Sequence, residues 1–268
     1  MPDEMIARFR RQIHRPHGMI LVTGPTGSGK TTTLYGALNE LNQPQVKIIT
    51  AEDPVEYRLP RISQVQVNSK IGLDFATVLR SILRQDPDVI LVGEMRDQET
   101  CEIGLRGSMT GHLVLSTLHT NDAVSSTLRL MDMGAPGYLV AGSLRAVLAQ
   151  RLVRRVCPKC KAPYTPDVAQ LNYLEDALGI PANELSQIQF KAGNGGKGCQ
   201  FCNFSGYKGR IGVFELLVLN EAMMDALRRN DNEAFEKAAK ADPEYRPLAY
   251  MALDYAAKGL TSIEEVMR

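Results

Sequence analysis

The chain has no tryptophan, only 6% aromatic residues, four histidines and a formal net charge of +1 over 268 residues. Each shortage removes a class of function. Stacking on single-stranded nucleic acid needs aromatic faces, and tracking a phosphate backbone needs a basic field. Neither is available here, so no nucleic-acid partner is expected. No apolar run approaches the ~20 residues of a membrane-crossing helix. Residues 1–8 are polar and mixed in charge, without the apolar centre of a secretion signal. Membrane contact is therefore expected only through partners. Cysteine is sparse, five in all, yet four fall in two C-x-x-C pairs. In a cytosolic setting that spacing points to a metal rather than to disulfides.

What is present is more specific. Gly24-Pro25-Thr26-Gly27-Ser28-Gly29-Lys30-Thr31 fits G-x-x-x-x-G-K-[ST] at every fixed position. Residues 19–23 read as a buried strand before it, and residues 31–38, opening Thr31-Thr32, read as helix after it. Strand, glycine loop and helix N-terminus together form a phosphate cradle. Glycines let backbone amides approach phosphate closely. Lys30 can reach the β- and γ-phosphates of ATP, and the Thr31 hydroxyl can ligate Mg2+. Thr32 completes the set.

Elsewhere the periodicity predicts a helix over 4–14, then strands at 46–50, 89–92 and 113–117. Asp74 is placed to cap a helix over 75–85, and further helices are expected over 122–133 and 138–150. Strands alternating with helices predict an α/β fold with a mostly parallel central sheet. Composition changes after Arg151. The division expected is an ATP-binding core over 1–154, a metal-binding subdomain over 155–205 and a C-terminal region over 206–268. In that last part a strand over 211–217 is followed by short helices. The glycine-rich residues 193–198 predict a loop.

Hydrolysis of a γ-phosphate requires charge neutralisation and a positioned water. Carboxylates at the C-terminal ends of strands beside the phosphate loop are the candidates. They are Glu52 and Glu56, in Glu52-Asp53-Pro54-Val55-Glu56, and Glu94, which follows the apolar run 89–92 and Gly93. Glu94 is the expected general base or ligand of a Mg2+-bound water. His112 and His119 flank the 113–117 strand. His119 lies at its C-terminal end and ranks above His112 as a phosphate-facing group. Arg58, Arg80, Arg84, Arg96 and Arg106 are candidates for reaching the phosphates of a neighbouring subunit. Cys157, Cys160, Cys199 and Cys202 form C-x-x-C turns separated by 38 residues, the pattern of a closed, structural zinc site. Cys101 stands apart as a buried small hydrophobe.

Taken together, residues 24–31, the acidic box 52–56, Gly93-Glu94-Met95-Arg96-Asp97 and Gly111-His112-Leu113-Val114-Leu115-Ser116-Thr117-Leu118-His119 resemble the ATPases that power type II secretion and type IV pilus machines. In that family the four motifs are called Walker A, Asp box, Walker B and His box. The four-cysteine module resembles the secretion and pilus-assembly branch. The resemblance implies a RecA-like fold, a hexameric ring and ATP-driven motion passed to an inner-membrane platform protein at its cytoplasmic face. It implies Glu94 as Walker B glutamate, Glu52 and Glu56 as Asp-box carboxylates and His119 as phosphate sensor with His112 beside it. Family members carry a further N-terminal domain, so the chain reads as a C-terminal catalytic part, with weak hydrolysis and incomplete ring assembly expected. The competing readings are a RecA-like nucleic-acid translocase and a nucleotide-gated scaffold with little turnover.

Overall fold

The computed structural model describes residues 1–193 and 197–268; the part of the expected glycine-rich loop at 194–196 lies outside them. The chain divides into two compact units: Met1–Gln150 with Leu216–Tyr245, and Arg151–Glu215 with Arg246–Arg268. In place of a three-part division at 154/155 and 205/206, residues 206–268 contribute to both units. The reason is the path of the strands. One long strand leaves the first unit after Gln150, and another re-enters it at Leu216.

The first unit opens with helix α1 (Asp3–Ile13), strand β1 (Gly18–Thr23), helix α2 (Lys30–Leu41), and strands β2 (Ile48–Glu52) and β3 (Ser63–Gln66). Helix α3 (Phe75–Leu83), strand β4 (Val89–Val92), helix α4 (Gln98–Met109) and strand β5 (Leu113–Leu118) follow. Helices α5 (Ala123–Asp132) and α6 (Gly137–Ser143) lead into strand β6 (Leu144–Val156). Strand β9 (Tyr207–Val218) and helices α9 (Glu221–Arg228) and α10 (Asn232–Ala241) bring the chain back. The sheet runs β3-β2-β4-β5-β1-β6-β9. Its pairs β1–β5, β1–β6, β2–β3, β2–β4 and β4–β5 are parallel.

Local chemistry explains most of these elements. Every residue of β1, β2, β4 and β5 is buried, as expected of parallel strands covered on both faces. Asp74, Asp97 and Asp122 each accept a hydrogen bond from a first-turn amide and start α3, α4 and α5. The expected strands and helices stand close to their expected bounds, with one reversal. The helix expected over 138–150 stops at Ser143, and residues 144–156 form strand β6. Leu, Ala, Arg and Gln favour helix in isolation. Here the edge of β1 takes Ala146, Val147 and Leu148 into parallel register, opposite Ile20, Leu21 and Val22, and that pairing overrides propensity. Strand β3 was not expected either; its half-exposed Ser-Gln-Val-Gln carries little apolar signal.

The second unit holds the hairpin of β7 (Lys161–Pro163) and β8 (Lys191–Gly193), paired antiparallel. Helices α7 (Val168–Leu178) and α8 (Ala182–Leu185) lie between them in sequence, and α11 (Leu248–Ala257) and α12 (Ile263–Val266) complete the unit. It has its own apolar core, including Leu174, Phe190, Val213 and Ile263. Among the described residues no helix is long and apolar enough to cross a membrane.

Candidate functional site

The loop between β1 and α2 is shaped by glycine. Gly24, Gly27 and Gly29 have φ of 145°, 79° and 91°, conformations that L side chains rarely adopt. At Gly24 a Cβ would lie 2.2 Å from the Gln150 carbonyl oxygen. The loop is wrapped that tightly, so only glycine fits. Pro25, Thr26 and Gly27 form its exposed rim, Ser28 is buried, and Thr31 is half-buried on the first turn of α2 beside exposed Thr32. The Lys30 ammonium donates to the Gly24 and Pro25 carbonyls at 2.7 and 3.2 Å. Burial lowers its pKa, and the charge of Glu94 works the other way.

Because β5 lies between β1 and β4, the C-terminal ends of all three strands meet beside this loop. Glu94 follows β4. Its carboxylate is ion-paired with Arg96 and lies 3.4 Å from the His119 Nε2. Burial alone would raise its pKa; Arg96, His119 and Lys30 outweigh that and hold it below the ordinary carboxylate range. Arg96 also lies 3.7 Å from Asp53. The chain after β4 is fixed by β5: Met95 N–H donates to the Thr117 carbonyl, and Thr117 Oγ1 donates to the Gly93 carbonyl at 2.6 Å. Thr23, the last residue of β1, donates its hydroxyl to the Leu118 carbonyl at 3.1 Å and so holds the strand end that delivers His119.

The remaining expected residues separate. Glu52 is buried at the end of β2 and accepts from Tyr35, Thr50 and Gln64, so its carboxylate is satisfied inside the protein. Tyr35 comes from α2, and burial with the Glu52 contact pushes its hydroxyl pKa well up. Glu56 is exposed on the loop that follows. His112 stands at the opposite end of β5, about 20 Å away by strand rise, with Nδ1 2.9 Å from the Gly107 carbonyl. It is therefore not brought to Glu94. Of the five arginines, Arg96 alone meets Glu94. Arg80 and Arg106 pair with Glu99 and Glu102, and Arg58 and Arg84 are exposed. Cys101 is fully buried, and burial pushes its thiol to about 12.

Gln150 was not expected here. Reading 138–150 as helix hid it. The available signal was a single amide ending the apolar run 146–149, which a buried strand beside a polar loop would carry.

In the second unit the Sγ atoms of Cys157, Cys160, Cys199 and Cys202 all lie within 4.8 Å of one another. Three of the separations are 4.0, 3.9 and 3.8 Å. Four sulfurs tetrahedral about zinc at about 2.3 Å are separated by about 3.8 Å, so the residues fit such an ion. The Cys199 and Gly206 amides donate to the Cys202 sulfur at 3.2 and 3.3 Å. Against the cost of desolvation, these bonds draw that thiol down to about 6. Gly198 and Gly206, with φ of 64° and 76°, let the chain turn tightly around the cluster.

Comparison with known proteins agrees with this geometry. A family model described as type II/IV secretion system protein matches residues 1–268. The type II secretion system ATPase E of Vibrio cholerae is 49% identical over 97% of this chain and 50% of its own length. The type IV pilus assembly ATPase PilB of Myxococcus xanthus is 45% identical, over 98% of this chain and 45% of its own. The chain thus spans about half the length of the curated relatives it matches. The crystal structure of the pilus retraction motor PilT with bound ADP superposes with a TM-score of 0.71 at 29% identity, covering 100% of this chain and 64% of that one. With the motifs, the sheet order and a match over its whole length in accord, this chain belongs to the type II/IV secretion system protein family.

Proposed function

We propose that this chain is the ATP-hydrolysing part of a motor that drives pilus or pseudopilus assembly, or protein secretion, from the cytoplasmic face of the inner membrane. The observation that carries the reading is the meeting of the glycine loop with Glu94 and His119 at the C-terminal ends of the central strands β1, β4 and β5. The buried Ser28 Oγ, which has no hydrogen-bond partner, marks the loop as built for a polar guest.

In this reading the loop amides and Lys30 bind the β- and γ-phosphates. The Thr31 hydroxyl would hold Mg2+, which neutralises phosphate charge when bound. Glu94, kept ionised by Arg96, His119 and Lys30, accepts the proton of a water that attacks the γ-phosphorus. The bond to the β–γ bridging oxygen breaks, releasing ADP and phosphate. His119 stands where it can report the γ-phosphate to Glu94. Glu52 anchors β2 to α2 through Tyr35, which leaves Glu56 as the Asp-box carboxylate open to ligand. His112 takes no part. Zinc in the four-cysteine cluster would be structural, since all four ligands come from the chain. A hexameric ring and an inner-membrane platform protein are the proposed partners.

The test is ATP turnover per chain against protein concentration, in Mg2+, for the wild type and Glu94→Gln. A specific rate that rises with concentration and is lost in the variant, while nucleotide still binds, is the expected result. Turnover unchanged by Glu94→Gln overturns the assignment.

A further inference from the structure

We propose that Gln150 is a positioning residue for the phosphate loop: its amide fixes the Ser28–Gly29 peptide and ties it to the first turn of α2. The inference rests on the nucleotide-binding reading above and extends it to a residue outside the four motifs.

Gln150 is 2% exposed, at the point where β6 passes the loop. Its Nε2 donates to the Ser28 carbonyl at 2.8 Å. Its Oε1 accepts from the Thr33 hydroxyl at 2.7 Å. One side chain thus uses its donor on the loop and its acceptor on the helix, and the two roles cannot be exchanged. Its backbone oxygen closes the start of the loop, 2.2 Å from a Cβ at Gly24, and its Nε2 is 3.2 Å from a Cβ at Gly29.

Peptide geometry supplies the consequence. In a planar trans peptide the carbonyl of one residue and the N–H of the next point in opposite directions. Holding the Ser28 carbonyl toward Gln150 therefore turns the Gly29 N–H away from it, into the array of amides that receives phosphate. Without that hold, Gly29 at φ 91° has no side chain to fix its peptide. The aliphatic part of Gln150 fills space, but filling space alone would not need a directed donor.

This separates positioning from packing. Gln150→Glu keeps the size and the Thr33 contact but sets a carboxylate oxygen against the Ser28 carbonyl. Protonation restores a donor there, and burial beside a carbonyl raises the pKa of the introduced carboxyl. Lys30 follows Gly29 on α2 and interacts with the charge of Glu94, and Arg151 follows Gln150 along β6. All three are common to wild type and variant, so the ratio of their affinities isolates residue 150.

The measurement is calorimetric binding of Mg2+ with a non-hydrolysable ATP analogue between pH 8 and 6, with thermal melts alongside. Gln150→Glu is expected to bind about tenfold more weakly than wild type at pH 8 and to return to within about twofold at pH 6. Gln150→Leu should stay about tenfold weaker throughout. A Gln150→Glu affinity equal to wild type at pH 8, or a deficit that does not change with pH, overturns the positioning role. A folded wild type that binds no analogue overturns the nucleotide reading itself, and this proposal with it.

Discussion

The glycine loop and the cysteine cluster, as proposed here, would hold a charged guest by opposite means. In the loop the groups proposed to face the ligand are backbone amides, and their placement is dictated by strands that are entirely buried. Ile20, Leu21 and Val22 of β1 are each 0% exposed, and burying each such side chain contributes about 2 kcal/mol. The shape of the loop is therefore set by the fold. In the cluster the groups are four side chains crowded within 4.8 Å. Hydrogen bonds from amides ease ionisation of Cys202, while Cys160 is pushed up to about 12 by desolvation and its sulfur neighbours. Four thiolates at that spacing would need a cation among them. The lesson is that one proposed site is made by the fold, whereas the other would ask its guest to help make the fold.

Four measurements test that contrast. The largest effect is expected at the cluster. Cys199→Ser should abolish stoichiometric zinc, read by elemental analysis, and loosen the second unit by an amount on the order of 10 kcal/mol of lost metal-binding energy. Nucleotide binding by the first unit should persist. Next, Gly24→Ala drives a Cβ against backbone rather than against a yielding side chain. It should lower stability in denaturant titration by about 3 kcal/mol. Third, Lys30→Ala should weaken ATP binding roughly a hundredfold, through loss of charge-assisted bonds to phosphate, with little change in the melting temperature.

The smallest effect concerns Glu265, buried in the second unit and bound by the Arg154 amide at 2.7 Å and guanidinium at 2.8 Å. Burial opposes its charge, but these bonds and Arg268 hold its pKa below the ordinary 4.5. A depressed acid stabilises the fold fully above its unfolded pKa and loses that contribution as pH falls through the folded value. Glu265→Ala should therefore cost about 2 kcal/mol at neutral pH, the half-exposed arginine moderating the loss. Unfolding curves of the two proteins should converge once pH drops well below 4.5.

Much of the site was legible from the chain because its signals are short-range. Lys30 and Thr31 stand at fixed offsets from Gly24 and Gly29, and each cysteine pair spans one turn. The run Val89–Val92 announces a strand buried on both faces and places Glu94 at its end. Asp74, Asp97 and Asp122 mark helix starts with a single hydrogen bond each. Each of these depends on residues a few positions apart, so composition and spacing carry them.

Other features depended on neighbours far away in the chain. Residues 144–150 favour helix locally, and only the open edge of β1 made them a strand. Gln150 reached Ser28 across 122 positions. Glu52 and Glu56 read alike in sequence, yet Tyr35 and Gln64 close over the first and leave the second exposed. His112 and His119 differ only by lying at opposite ends of β5, which matters because β5 sits between β1 and β4. Local sequence was enough to name the residues proposed to hold phosphate and metal, since turn conformation and the spacing within each cysteine pair are local properties. Which carboxylate, histidine and arginine meet beside the loop followed from the folded arrangement, because strand order and long-range hydrogen bonds are set by packing the whole sheet.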